Sequence, residues 1–174
     1  MMASTADYSA LERLRDGSRI EIRALRPDDR DDMLAAVDRT SVQSLQRRFF
    51  VPKRGFSDKE IAFFMNIDFT SHVALVAQID EDSRPVIAGG GRYIVTQPGR
   101  AELAFVVVDC YQGKGIATAL MRHLLAIARD AGLKELTAEV LPENAAMLKV
   151  FSGFGFRSRA GGDPQVRHLS LQLA

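Results

Sequence analysis

Residues 101–118 read AELAFVVVDCYQGKGIAT, and the parsing of that stretch decides the fold. An apolar run of β type breaks into a short glycine loop and passes at once into a long amphipathic pattern. Ile116, Leu120, Leu124, Ile127 and Ala131 recur at three- and four-residue spacing, one buried stripe on a helix that Gly132 stops. Strand, turn and helix start follow each other so closely that backbone N–H groups are left pointing into a gap, and such a gap suits a phosphate.

Downstream, residues 135–141 (ELTAEVL) are predicted to form a second strand, and a β-α-β link of this kind places its strands parallel. Pro142-Glu143-Asn144 then caps a helix with apolar positions Met147, Leu148, Val150, Phe151 and Phe154, which Gly155 ends. Residues 156–159 and 166–173 read as a closing hairpin. Upstream, residues 1–18 are polar and without a clear period, so a flexible leader is expected there and one domain over 19–174. RIEIRAL at 19–25 alternates as the first strand, and Met33, Leu34 and Val37 give the next helix its inner face. Residues 41–54 (SVQSLQRRFFVPKR) read as a short helix running into a basic loop. Ser57 and Glu60 form a capping box before Ile61, Phe63, Phe64 and Met65. HVALVAQID at 72–80 and PVIAGGGRYIV at 85–95 are two antiparallel strands, with the glycines at 89–91 read as a bulge or a close backbone approach. The fold class is therefore α/β (α+β), a mixed sheet with helices on both faces.

A chain of 174 residues, 47% hydrophobic, supports a single core. Basic and acidic side chains nearly cancel, 23 against 22, so no bulk field argues for nucleic acid. The single cysteine, Cys110, forms no internal disulfide, the first thirty residues lack the apolar core of a signal peptide, and no apolar run approaches the roughly eighteen residues of a membrane span. A cytoplasmic setting is expected, with no membrane contact. His72, His123 and His168 lack ligand spacing, so no metal is expected.

In the loop itself, Gln112-Gly113-Lys114-Gly115-Ile116-Ala117 sets glycines where a bulky ligand must approach backbone, with one cation and a helix N-terminus beside them. That chemistry suits a pyrophosphate. A dinucleotide fingerprint would want glycine or alanine where Thr118 stands, a phosphate loop of the NTPase type would be longer, and a purely structural strand-to-helix turn stays open on these residues alone.

Gln112-x-x-Gly115-x-Ala117, preceded by the strand 103–108 and followed by Asn144 and Gly155-Phe156, resembles the acetyl-CoA signature of the GNAT family of N-acetyltransferases, and the order of elements over 19–173 is similar throughout. The resemblance implies a GNAT fold: a mixed central sheet of about six to seven strands flanked by helices, with a V-shaped split between the fourth and fifth strands, 101–108 and 135–141. It implies acetyl-CoA as co-substrate and no metal. Backbone groups of Phe105, Val106 and Val107 would meet the pantetheine arm. The amides of Gln112, Gly113, Lys114, Gly115, Ile116, Ala117 and Thr118 would hold the pyrophosphate, and Asn144 would reach the pantetheine side.

An aliphatic amine of pKa about 10.4 is almost wholly protonated at pH 7, so attack on a thioester needs a base. Glu102 is the candidate implied by the resemblance, with Glu139 on the partner strand in reserve. Where the family commonly has a tyrosine to reprotonate the leaving thiolate, this chain has Phe151, which donates nothing. Residues 44–50, 101–105 and 144–156 look like the catalytic domain of bacterial protein lysine acetyltransferases that modify acyl-CoA synthetases. The expected function is acetyl transfer in a ternary complex to a protein lysine. A small amine acceptor, a silent acyl-CoA-binding module and a homo-oligomer remain open. Cys110 reads as a structural thiol, and the paired phenylalanines as core or groove lining.

Overall fold

The computed structural model describes residues 5–49 and 56–173. The basic loop expected around Pro52 lies outside the described residues. Eight strands form one sheet: β1 (Ser9–Arg13), β2 (Arg19–Ala24), β3 (His72–Glu81), β4 (Arg84–Gln97), β5 (Arg100–Val107), β6 (Glu135–Val140), β7 (Arg157–Ser158) and β8 (Arg167–Gln172). Their order across the sheet is β1-β2-β3-β4-β5-β6-β8-β7. Among the described residues five α-helices accompany them: α1 (Arg30–Asp38), α2 (Val42–Phe49), α3 (Asp58–Met65), α4 (Ile116–Asp130) and α5 (Ala145–Gly153). The mixed α/β class holds. The parallel pair is β5 with β6, and every other neighbouring pair is antiparallel.

Two apolar layers fill the faces. On one, Val73, Leu75, Tyr93, Leu103 and Phe105 pack under Ile116, Leu120, Leu124 and Ile127 of α4. Met121, Leu125 and Ala128 are buried too, so the helix face is wider than the expected stripe, while Ala131 at the C-cap is exposed. On the other face Leu25, Ala74, Val76 and Ile87 meet Met33, Ala36 and Met65. Alternation along each strand sends successive side chains to opposite layers, which is why one apolar run serves both.

The expectation of a flexible leader is corrected in part: Ser9–Arg13 adds a strand to the sheet edge, in register with Arg19–Arg23. That strand has no apolar alternation, and Leu11 is 84% exposed. Ladder hydrogen bonds and an ion pair from Glu12 to Arg122 on α4 hold it, neither of which leaves a hydrophobic period to read. With the two-residue β7 it raises the count from six or seven to eight. Of the two readings of the glycines at 89–91, the close backbone approach holds, and the bulge falls one residue earlier. Register slips by one residue at Ala88, and a Cβ on Gly91 would lie 2.6 Å from the Phe105 ring, so the bare backbone makes room for that side chain. Among the described residues, no helix is long and apolar enough to cross a membrane.

Candidate active site

The site begins where two parallel strands part. β5 and β6 pair at only three positions, Arg100 with Glu135, Ala101 with Leu136 and Glu102 with Thr137. Beyond Glu102, β5 still pairs with β4 as far as Val107, but its other edge is open. Val108 donates its N–H to the Ala88 carbonyl (2.8 Å) on the β4 side. A planar trans peptide therefore turns the Val107 carbonyl the other way, and alternation turns the N–H groups of Val107 and Phe105 into the split, with that of Val106 towards β4. The split expected between the fourth and fifth strands is this one, between β5 and β6 once β1 is counted.

The loop after β5 is built to present amides. Asp109–Tyr111 makes a 3-10 turn, Gly113 and Gly115 take φ of +79° and +93°, and Gly115 is the N-cap of α4 without any side-chain cap. Left-handed backbone at those two positions costs a glycine little, and it aims the first helical N–H groups outward. The Gln112 side chain is occupied otherwise: its Nε2 donates to the Val107 carbonyl (3.1 Å) and to Ser44 Oγ (3.1 Å), pinning the turn to the strand end and to α2. Gln112 thus contributes to the loop through geometry: its backbone N–H, expected to face the pyrophosphate, instead donates to the Asp109 carbonyl (3.2 Å) and closes the 3-10 turn.

A cavity of about 760 Å³ runs along this split, and the residues that the resemblance assigns to the base and to the cofactor line it: Glu102, residues 105–107, residues 112–118 and Asn144. Asn144 also caps α5, its Oδ1 accepting from the Met147 N–H (3.3 Å). Phe151 is buried, edge-on to Phe105 (5.9 Å between centroids) and to Phe156 (4.8 Å), so the tyrosine position is part of an aromatic stack on the cavity wall. Cys110 is exposed, takes a contact from Arg39 Nη2 (3.2 Å) and does not line the cavity.

Sequence reading placed Lys114 beside the loop and missed the other cations. The turn between β1 and β2 leans on the glycine loop, with the Arg15 guanidinium 3.9 Å from where a Gly115 Cβ would stand and Lys114 Nζ held 3.0 Å from Asp16. Arg13, Arg122 and Lys149 line the same cavity. A phosphate-rich ligand needs such a collar, but these residues come from segments that no local pattern links to the loop.

At the other end stands Glu102. Its carboxyl is raised above the ordinary carboxylate range by desolvation first and by the negative charge of Glu139 second, while Arg48 on α2 works the other way. On the sheet face that carries Glu102 lie Arg92 of β4 and His72 of β3, the latter two strands away across Ile94. Arg92 donates to the Phe64 carbonyl (3.1 Å) and to His72 Nε2 (2.9 Å), which fixes that nitrogen as an acceptor. Burial, followed by the Arg92 charge, pushes His72 down to about 4, so it stays neutral at neutral pH. Burial likewise brings Arg92 down to about 9 and Arg48 to about 10. Among the described residues no group of three His, Cys, Asp or Glu side chains converges as a metal site.

The acetyltransferase (GNAT) family matches this chain over residues 39–156. An acetyltransferase of Pseudomonas aeruginosa is 32% identical over 147 residues, 84% of this chain and 79% of that protein. The acetyltransferase Pat of Mycolicibacterium smegmatis is 30% identical over 144 residues, 82% of this chain, which spans only 42% of that relative's length. Among solved structures, the GNAT domain of S. lividans PAT superposes with a TM-score of 0.88 at 32% identity, over 94% of this chain and 96% of that one.

Proposed function

The chain belongs to the acetyltransferase (GNAT) family, and from that premise we propose that it moves the acetyl group of acetyl-CoA onto the side-chain amine of a protein lysine, such as one on an acyl-CoA synthetase, by direct attack in a ternary complex. The observation that carries this reading is that one cavity gathers the open edge of β5, the glycine loop and Glu102. The glycine cradle, the uncapped start of α4 and the collar of Arg and Lys side chains fit the pyrophosphate end of acetyl-CoA. The split is where an extended arm would add to the β5 edge as a short strand does. Similarity to the Pat proteins supports a protein acceptor.

Each residue then has a defined task. The N–H groups of Phe105 and Val107 face the split, and one of them would donate to the thioester carbonyl oxygen as negative charge develops there. Glu102 takes the proton from the acceptor ammonium, and its raised affinity for protons narrows the gap to the amine. The freed amine forms the new N–C bond as the C–S bond breaks. The thiolate leaves without a phenol donor, since Phe151 offers none. Desolvation of the split keeps water from competing for the acyl group.

The test is acetyl transfer from acetyl-CoA to a panel of acyl-CoA synthetases and free amines, with products read by mass. Modification of a protein lysine and of no free amine supports the proposal. Modification of small amines alone replaces the acceptor, and binding of acetyl-CoA with no release of CoA to any acceptor removes the enzymatic reading.

A further inference from the structure

A second, smaller cavity of about 160 Å³ meets the first at two residues, Glu102 and Glu139, which line both cavities. Its far wall comes from β8 and the chain before it, including His168 and Arg159. Glu139 stands opposite His168 in the β6–β8 ladder, and the two side chains face each other, Oε1 to Nδ1, at 3.6 Å.

The orientation of that imidazole is fixed from behind. His168 Nε2 lies 2.9 Å from the Asp163 carbonyl oxygen, which only accepts, so Nε2 carries a hydrogen. The ring lies against Gly162, where a Cβ would come within 2.5 Å of it, so the loop between β7 and β8 holds the ring in place. With that hydrogen on Nε2, Nδ1 is the ring nitrogen turned towards the Glu139 carboxylate, and its lone pair is the one that can take up a proton. Two acceptors facing each other at that distance form a proton-binding site: a proton placed between them turns the opposed pair into an imidazolium–carboxylate bond.

We propose that His168 is the terminal acceptor of the proton that Glu102 removes from the acceptor amine, reached through Glu139 across the second cavity, so that the Glu139–His168 pair keeps the base discharged between turnovers. This rests on the reading of Glu102 as base. The proton passes from the ammonium nitrogen to a Glu102 oxygen, across the cavity to Glu139, to the Nδ1 lone pair and then to solvent. One proton leaves for each amide formed, and no other reactant is needed. A polar space of this size has room for several bridging waters. The other charged groups on its wall, Arg100 and Arg159, are both turned to Glu135 (2.9 and 3.9 Å); on the side of the first cavity Glu139 shares a wall with Arg47, Arg48 and Lys149, and His168 Nδ1 stands 3.6 Å from its carboxylate. His168 is thus a positioning residue acting through Glu139 and Glu102.

Three measurements test it on the full chain with acetyl-CoA and poly-L-lysine. Nitrogen-15 NMR of the imidazole in its neutral form should show the His168 hydrogen on Nε2; a hydrogen on Nδ1 overturns the relay. His168→Gln keeps a donor for the Asp163 carbonyl and should lower kcat about tenfold, at the lower edge of a general-base contribution, with the acetyl-CoA Kd unchanged. His168→Ala should fall similarly and recover when imidazole is added, while wild type and His168→Gln do not respond to imidazole. A glutamine variant at the wild-type rate, or an alanine variant that imidazole fails to restore, removes the relay and leaves Glu102 as base. Wild type that binds acetyl-CoA and acetylates no lysine removes the base reading, and the relay with it.

Discussion

Glu102→Gln separates chemistry from binding more cleanly than any other change in the cavity. The substitution keeps the shape of the side chain and removes only its ability to hold a proton. Without the base, attack depends on amine that is already neutral. For a lysine of pKa about 10.4 that fraction is about 0.0004 at pH 7 and about 0.04 at pH 9. Where the carboxylate supplies neutral amine efficiently, the variant should lose up to about 2,500-fold in kcat/KM at pH 7, within the usual range for general-base catalysis, and about 25-fold at pH 9. The assay is CoA thiol release from pH 6 to 9.5 with acetyl-CoA saturating and its Kd measured separately. Wild type should climb on the acid side as Glu102, its proton affinity raised by desolvation and by Glu139, gives up its proton, and then level off. The variant should instead rise tenfold per pH unit throughout. A variant within twofold of wild type across the range, or one whose deficit is the same at every pH, refutes Glu102 as the base.

Three further outcomes follow from other parts of the molecule. Glu139→Gln removes a negative charge that raises Glu102, so the acid limb of the kcat/KM profile should move to lower pH; a limb that stays in place contradicts the coupling. Asp29 and Arg23 form a two-pronged pair (2.7 and 2.9 Å) with side chains 6% and 5% exposed, and Asp29→Ala leaves the guanidinium buried without its partner, a loss of about 3–5 kcal/mol in urea unfolding. Burial works to raise the Asp29 carboxyl, but hydrogen bonds from Arg23 and the Arg26 amide outweigh it and hold it low, so its contribution is complete above the unfolded value of about 3.9 and disappears as pH falls through the depressed folded one. Gly91→Ala sets a methyl 2.6 Å from the Phe105 ring and 3.0 Å from Leu124, which should cost about 1–3 kcal/mol on thermal unfolding and weaken acetyl-CoA binding by shifting the β5 edge.

The chain from Ala101 to Thr118 carried its own instructions. An apolar run, two glycines and an amphipathic repeat fix strand, turn and helix through local backbone preference, and the same holds for the capping box at Ser57, whose hydroxyl accepts from the Glu60 amide as expected. The parallel pairing of β5 with β6 followed from the connection alone. The candidate residues that came with the glycine motif all line the cavity because they are consecutive or nearly so, and placing the loop places them together.

What lay beyond the sequence depends on segments meeting that share no pattern. β1 is held by a ladder and by Glu12 reaching Arg122, more than a hundred residues away, so its five residues show no period. Arg15 acquires meaning only where its turn rests on Gly115, and Glu102 becomes a perturbed carboxyl only because burial, Glu139 and Arg48 converge on it from different elements. His168, one of three scattered histidines in the chain, faces a carboxylate because β6 and β8 pair in one register rather than another. Sequence by itself determined the strand, the glycine turn and the helix start, since backbone conformation is a local property. The charge around them was decided by the tertiary structure, since electrostatic coupling depends on distance in space and on the water that packing removes.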